Sequence, residues 1–312
     1  MYKYVIKRLL LMIPIILGVS IIVFTLVSMV PGDPGTIMLG GNAEQEAIDA
    51  LNESLGYYDP LPVRYFNYMK DALTGDFGNS YKTNTPVIHE LAKKVPISVF
   101  LAFVGIFGAL IIGVPIGILS AVKQYSLLDT IPSAIAMILA AAPSFWVGMM
   151  LMLWFSVQRK WFPTFGMQEP TWFILPALAL VLVYGATMMR FTRSSMLETI
   201  RQDYIRTARA KGATERVVIW RHALKNALLP VITAAGNSFG GLIGGAIATE
   251  ALFGIPGLGT YIVDGIKIKD IPVVMGGVIS LCIVMSLVML LVDLSYAFVD
   301  PTVRAKYSGK RG

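Results

Sequence analysis

Six stretches of this 312-residue chain contain no Asp, Glu, Lys or Arg: Leu9–Val30, Ile97–Val122, Thr130–Gln158, Pro170–Met189, Asn226–Thr249 and Ile271–Val292. Each is long enough to cross a bilayer as a helix, since about 20 residues at roughly 1.5 Å each cover the hydrocarbon core. Lipid offers the backbone no hydrogen-bond partners, so runs of this kind are confined to helices that pair their own polar groups. A chain that is 55% hydrophobic and only 14% charged fits the same description. The sequence therefore predicts an all-α integral membrane protein with six transmembrane helices.

Orientation follows from where the cations fall. With the N-terminus inside, the inner segments hold most of the 26 Lys and Arg residues. The two short outer loops hold only Arg159, Lys160, Lys267 and Lys269. The positive-inside bias then places both termini in the cytoplasm. Lys3, Lys7 and Arg8 precede the first run as in a secretory signal. That run is too long for a signal core, however, and Pro31-Gly32-Asp33-Pro34 follows it in place of a small-residue cleavage site, so it reads as a retained helix. The single Cys282 lies inside the sixth run, and His89 and His222 fall on opposite sides of the membrane. That pattern argues against a disulfide framework, a metal site and an intramembrane catalytic cluster.

The chain divides into a cytoplasmic N-terminus with the first helix (1–30), an extracytoplasmic segment (31–96), a membrane core (97–300) with a cytoplasmic loop (190–226), and a tail (301–312). Short helices are expected in the outer segment: one capped by Asn42 and ending at Leu55, one over Leu61–Leu73, and an amphipathic one over Pro86–Lys94. This segment either covers the outer mouth, meets a partner, or forms a self-contained cap. In the fifth run Gly236, Gly240 and Gly244 repeat at i+4, a small-residue row suited to close helix packing within the chain or against a second subunit. That run ends at Glu250 and passes into Phe253–Gly259, FGIPGLG, an irregular segment suited to an outer gate. Ser98, Ser144, Thr187, Thr233, Asn237 and Ser238 are the mildly polar candidates for a translocation path, with Glu250 at the gate.

The loop between the fourth and fifth runs carries nine basic and three acidic side chains from Arg190 to Lys225, six of the chain's formal +7. Within it, Tyr204, Ile205, Arg206, Thr207, Ala208, Arg209, Ala210, Lys211 and Gly212 read YIRTARAKG. On a helix Ile205, Ala208 and Gly212 form a narrow small-residue face flanked by Arg206, Arg209 and Lys211. Such a face is expected to sink into a groove on a partner, with the cations pairing at its rim. The chain contains no G-x-x-x-x-G-K-[ST] phosphate loop, so a docking helix here implies an energy source on another polypeptide.

Several segments resemble one family over essentially the whole chain: Arg8–Pro34, Leu73–Val87, Tyr204–Pro230, Thr249–Val274 and Leu290–Arg304. The sequence is similar to the B-type permease subunits of dipeptide, oligopeptide and nickel ABC importers. The wider superfamily carries E-A-A-x-x-x-G in its coupling loop. Here Arg206, Thr207 and Ala208 occupy the first three positions, and the peptide/nickel branch resembles this chain in having RTARAKG instead. The resemblance implies a type-1 importer permease of a prokaryotic cell membrane that moves short peptides inward. It implies a second, related permease, two ABC ATPase subunits that hold ATP and Mg, and an extracytoplasmic substrate-binding protein. Lipid and the peptide substrate complete its contacts, with no nucleic acid and no cofactor in this chain. Nickel or another small solute is the alternative cargo. An ion-gradient-driven secondary transporter is the alternative class; it would need mid-membrane charges or inverted repeats, which these runs do not display.

Overall fold

The computed structural model describes the backbone of residues 2–299 and the side chains of residues 5–242 and 246–294. The described elements are helices, apart from one isolated bridge between Asn79 and Pro86. Four helices are long and apolar enough to cross a membrane: α1 (Tyr2–Met29), α5 (Val87–Val122), α8 (Ile174–Ile200) and α13 (Ile271–Val299). The third apolar run is broken. Its halves, α6 (Leu127–Ala141) and α7 (Ser144–Leu151, continued by π-helical turns over Met152–Gln158), meet at 106°. Pro143 causes the break: its ring has no N–H and pushes Ala142 to φ −81°, ψ 136°, outside the helical region. The fifth run, within α11 (Leu224–Phe253), bends by 50° between Leu242 and Ala246. Counting each bent pair once gives six crossings.

The remaining helices are short: α2 (Pro34–Leu39), α3 (Gln45–Ser54), α4 (Leu61–Leu73), α9 (Asp203–Ala210), α10 (Glu215–Val217) and α12 (Leu258–Lys267). α4 lies where the sequence places it. α3 begins later than expected, because Ala43 N–H bonds Gly40 C=O in a turn, and Glu44, not Asn42, takes the cap position. No separate helix occupies Pro86–Lys94. α5 runs unbroken through Pro96, and Glu90 binds Lys93 and Lys94 at 2.9 and 3.6 Å across its first turns.

The described chain forms two compact units: a core unit built on Phe100–Ile255, and an insertion unit made of Val5–Val99 with Pro256–Ser286. Within the core unit α5 lies directly on α8. A β-carbon at Gly113 would fall 2.5 Å from Gly185 O, and one at Gly117 would fall 2.6 Å from Met189 O. The insertion unit has its own apolar centre of Phe24, Val87, Leu91, Leu258, Val274 and Met275.

Polar knots fix the loops of the insertion unit. Asp33 caps α2, accepting from Thr36 N at 2.8 Å and Thr36 Oγ1 at 2.9 Å. Asn52 on α3 donates to Asp33 at 2.7 Å and accepts from Gly35 N at 2.7 Å. The Pro31–Pro34 turn thus carries the cap of α2 as well as following the end of α1. Asp270, fully buried, accepts from Ser80 Oγ at 2.6 Å and from Lys82 N and Val273 N at 3.3 Å.

Candidate functional site

The basic loop folds into a corner of the core unit. α8 ends at Ile200, α9 starts after Gln202, and α10 leads through π-helical turns (Val218–Ala223) into α11. Gly212 stops α9 as the sequence suggests. It sits at φ +80°, its N–H bonds Arg209 C=O at 2.9 Å, and Ala213 N–H bonds Ala208 C=O at 3.2 Å. Together these two bonds form a Schellman turn, which satisfies carbonyls the helix end leaves open. A β-carbon at Gly212 would meet no atom within 4 Å, so only the backbone angle asks for glycine there.

The orientation of α9 corrects one expectation. Ile205 is fully buried against Ile118, Met196, Val218, Ala223 and Ala227 of the same chain, and Ala208 packs on that cluster. The small-residue face therefore seats the helix on its own protein instead of entering a partner. The outward face includes Arg206, Thr207, Ala210 and Lys211 and so carries cations with one small apolar residue among them. An exposed β-branched residue would gain little from water contact, whereas burying Ile205 removes a large apolar side chain from solvent, worth about 1.5–3 kcal/mol. Tyr204 is exposed along its ring, and its hydroxyl accepts from Asn226 Nδ2 at 2.7 Å. Arg209 grips Glu215 with two bonds, Nε to Oε1 at 2.7 Å and Nη2 to Oε2 at 3.2 Å, tying α9 to α10 across the turn. The Glu215 hydrogen bond holds the Arg209 guanidinium above its ordinary range, so the pair carries both charges at neutral pH.

Sequence reasoning missed the anchor of this corner. Asp129, at the start of α6, is buried and accepts from Arg193 Nε at 2.5 Å and Nη2 at 2.8 Å. Ser120 Oγ at 2.5 Å, Tyr125 N at 2.9 Å and Ser133 Oγ at 3.2 Å complete its shell. One carboxylate thus joins the end of α5, the connecting loop, α6 and α8. Its sequence signal was an acid at the edge of an apolar run, with Arg193 at the end of another.

The candidate path residues separate into two groups. Thr187 lines a recess of about 520 Å³ with Ser133, Arg190 and Phe191. Thr233 and Asn237 line a second recess of about 400 Å³ that shares Phe191. Ser238 is partly exposed, and Ser144 contacts Thr249 Oγ1 at 3.4 Å. Ser98 and Glu250, by contrast, are each about 1% exposed. Ser98 Oγ accepts from Leu258 N at 2.7 Å at the start of α12, so it is a helix-end partner and not part of an open surface. Gly236 packs face-on against Val292, where a β-carbon would overlap the valine; this favours packing within the chain. Gly240 is buried, and Gly244 lies outside the described side chains. Among the described residues no cluster of three His, Cys, Asp or Glu is arranged to hold a metal.

Residues 113–305 match the family described as binding-protein-dependent transport system inner membrane component, and residues 1–102 match its N-terminal companion. The chain belongs to this family. It is an ABC importer permease, a multi-pass inner membrane protein that is not itself catalytic; ATP is bound by partner ATPases, and a binding protein is a further partner. Among relatives, the dipeptide transport system permease protein DppB of Alkalihalophilus pseudofirmus is 40% identical, covering 97% of this chain and 100% of that one. The glutathione transport system permease protein GsiC of Pectobacterium atrosepticum is 40% identical over 98% of this chain and 100% of its own, and that of Escherichia coli K12 is 39% identical over the same shares. Among solved structures, an inward-facing MetNI methionine ABC transporter matches with a TM-score of 0.59 at 22% identity, covering 68% of this chain and 96% of that one. That similarity supports the permease fold.

Proposed function

We propose that this permease imports short peptides as one half of a pair of related permease subunits, and that two ATPases drive it by pushing on α9. The observation that carries the reading is the seating of α9. Its apolar face is fixed to the core unit while Arg206, Thr207, Ala210 and Lys211 face outward, so a force on that charged face is passed to α5, α8 and α11 through Ile118, Met196 and Ala227. In this arrangement the whole segment Tyr204–Gly212 acts as the coupling element. Ile205 and Ala208 serve as the inner bearing, and Gly212 as the stop. The loop 190–226 and both termini lie in the cytoplasm, and residues 31–96 lie outside. Thr187, Thr233, Asn237 and Ser238 line part of the path. Peptide as cargo is supported by two relatives of equal identity whose names specify a dipeptide and glutathione, itself a short peptide.

The test uses the complete importer in liposomes with its binding protein. Reversing the outward charges by Arg206→Glu with Lys211→Glu should leave the assembly in the membrane and lower peptide-stimulated ATP hydrolysis and dialanine uptake by about tenfold or more, the loss expected if roughly 1.4 kcal/mol of docking is removed. Unchanged uptake would remove α9 from the drive train. Nickel uptake without dialanine uptake by the native importer would remove peptide as the cargo.

A further inference from the structure

We propose that the insertion unit contains a carboxylate-binding recess centred on Arg64. The proposal goes beyond the import reading and does not depend on it. A cavity of about 420 Å³ opens beside α4, within the size range of small-ligand sites. Arg64, Tyr57, Tyr68, Tyr81, Asn67 and Asn84 are among the residues that line it.

Two of the donors that line this recess, Arg64 and Tyr68, are central. The Arg64 guanidinium lies 4.7 Å from the Tyr57 ring centre and 5.9 Å from that of Phe24. Among the described residues no carboxylate forms an ion pair with it. Aromatic rings hold the plane of a guanidinium but leave its edge N–H groups free, and that edge matches a carboxylate with two parallel bonds. The Tyr68 hydroxyl is buried and finds no hydrogen-bond partner among the described residues. A buried polar group left in this state is rare and points to a missing partner. Burial raises the Tyr68 phenol far above its ordinary value and the Tyr81 phenol to about 12, so both remain protonated donors at neutral pH. The hydroxyls ask the ligand for acceptors, and the Arg64 guanidinium favours one with negative charge.

Asp59 and Asp71 also line the cavity, and both are exposed. They provide a place for a cation beside the carboxylate, which suits the zwitterion of a short peptide or amino acid. A carboxylate on the binding protein has the same recognition chemistry at Arg64 and Tyr68. The experiment distinguishes these two sources.

The native importer, without binding protein, is placed in nanodiscs and titrated with dialanine, the C-terminal amide of dialanine, and acetate, with calorimetry as readout. Dialanine should bind, and its amide should bind at least about tenfold more weakly. Tyr68→Phe should weaken dialanine about tenfold, the loss of one good hydrogen bond to a charged group. It should not lower the melting temperature, because the deleted hydroxyl makes no bond inside the protein. Arg64→Gln should abolish binding. In a second arm, ligand-free binding protein is titrated onto the same discs. If the free probes do not bind but both variants weaken docking of the binding protein about tenfold, the recess stands and its carboxylate is protein-borne. Dialanine and its amide binding alike to native protein and both variants would overturn the proposal. So would equal docking of the binding protein to all three when no free probe binds.

Discussion

The basic corner of the core unit and the α2–α3 corner of the insertion unit face the same task, fixing a short helix to a larger body, and use opposite materials. α9 rests on an apolar seat centred on Ile205, with its cations turned away. α2 and α3 are held by a polar knot in which Asp33, Asn52 and the Gly35 N–H satisfy one another. Apolar contact has no preferred direction, so a seat permits small shifts without a sharp loss. Hydrogen bonds weaken steeply when misaligned, so a knot holds one geometry. A helix that passes on a push is better served by the first, and a segment that keeps a fixed surface by the second.

The largest expected effect comes from a place where the basic corner borrows the other strategy. Asp129→Ala removes a buried carboxylate that accepts from partly exposed Arg193, from Ser120 and from Tyr125 N, and should cost about 3 kcal/mol, the upper end for hydrogen bonds to a charged group. Thermal unfolding in detergent should show the drop, and adding Arg193→Met should recover part of it. A double variant no more stable than the single one would mean that the pair is not a clamp.

Next in size is the knot itself. Asn52→Ala strands the Gly35 N–H and should cost about 1–3 kcal/mol locally. Protease cleavage between residues 34 and 60 should quicken while ATP hydrolysis stays unchanged; a matching loss of ATP hydrolysis would break the division of labour between the two corners. Acid should loosen the same knot. Burial alone would raise the Asp33 carboxyl, but bonds from Asn52 and Thr36 outweigh it and hold it below its ordinary 3.8. A lowered folded value means that this stabilisation is complete above the unfolded value and is lost as pH falls through the folded one. Protection of Thr36 N from hydrogen exchange, taken relative to the intrinsic rate at each pH, should accordingly fall below about pH 4. Asp33→Asn should remove that dependence.

The smallest effect belongs to Gly212→Ala. With open space around the β-carbon, only the positive φ resists, at about 1 kcal/mol. A modest fall in peptide-stimulated ATP hydrolysis with normal membrane assembly is the expected result. A fall as large as that of the charge-reversal variant would show that the seat tolerates no displacement.

The crossings were legible because a charge-free run of this length has few alternatives in lipid. The break at Pro143 was less so: a hydropathy pattern is blind to direction, and only the proline and its predecessor Ala142 marked the spot. The position and stop of α9 could be read from RTARAKG, since Gly212 needs only its own backbone angle. Which face turned inward could not, because alanine suits either side and the decision lay with Met196, Val218 and Ala223, distant in sequence or across the turn. Asp129 and Asn52 were opaque for the same reason. A lone acid or amide shows nothing of its role until a partner many residues away is placed beside it. Ser98 misled in the opposite sense, as a polar residue in an apolar helix that serves the start of α12 instead of a path.

The elbow at Pro143 also bears on how the chain enters lipid. Each arm has only 15 residues, about 22 Å of helix, short of the roughly 30 Å hydrocarbon slab. Neither arm would qualify as a crossing by itself, so the insertion machinery has to accept both as a single consignment. The folded angle is then set afterwards, when α8, which follows in the chain, packs against both arms.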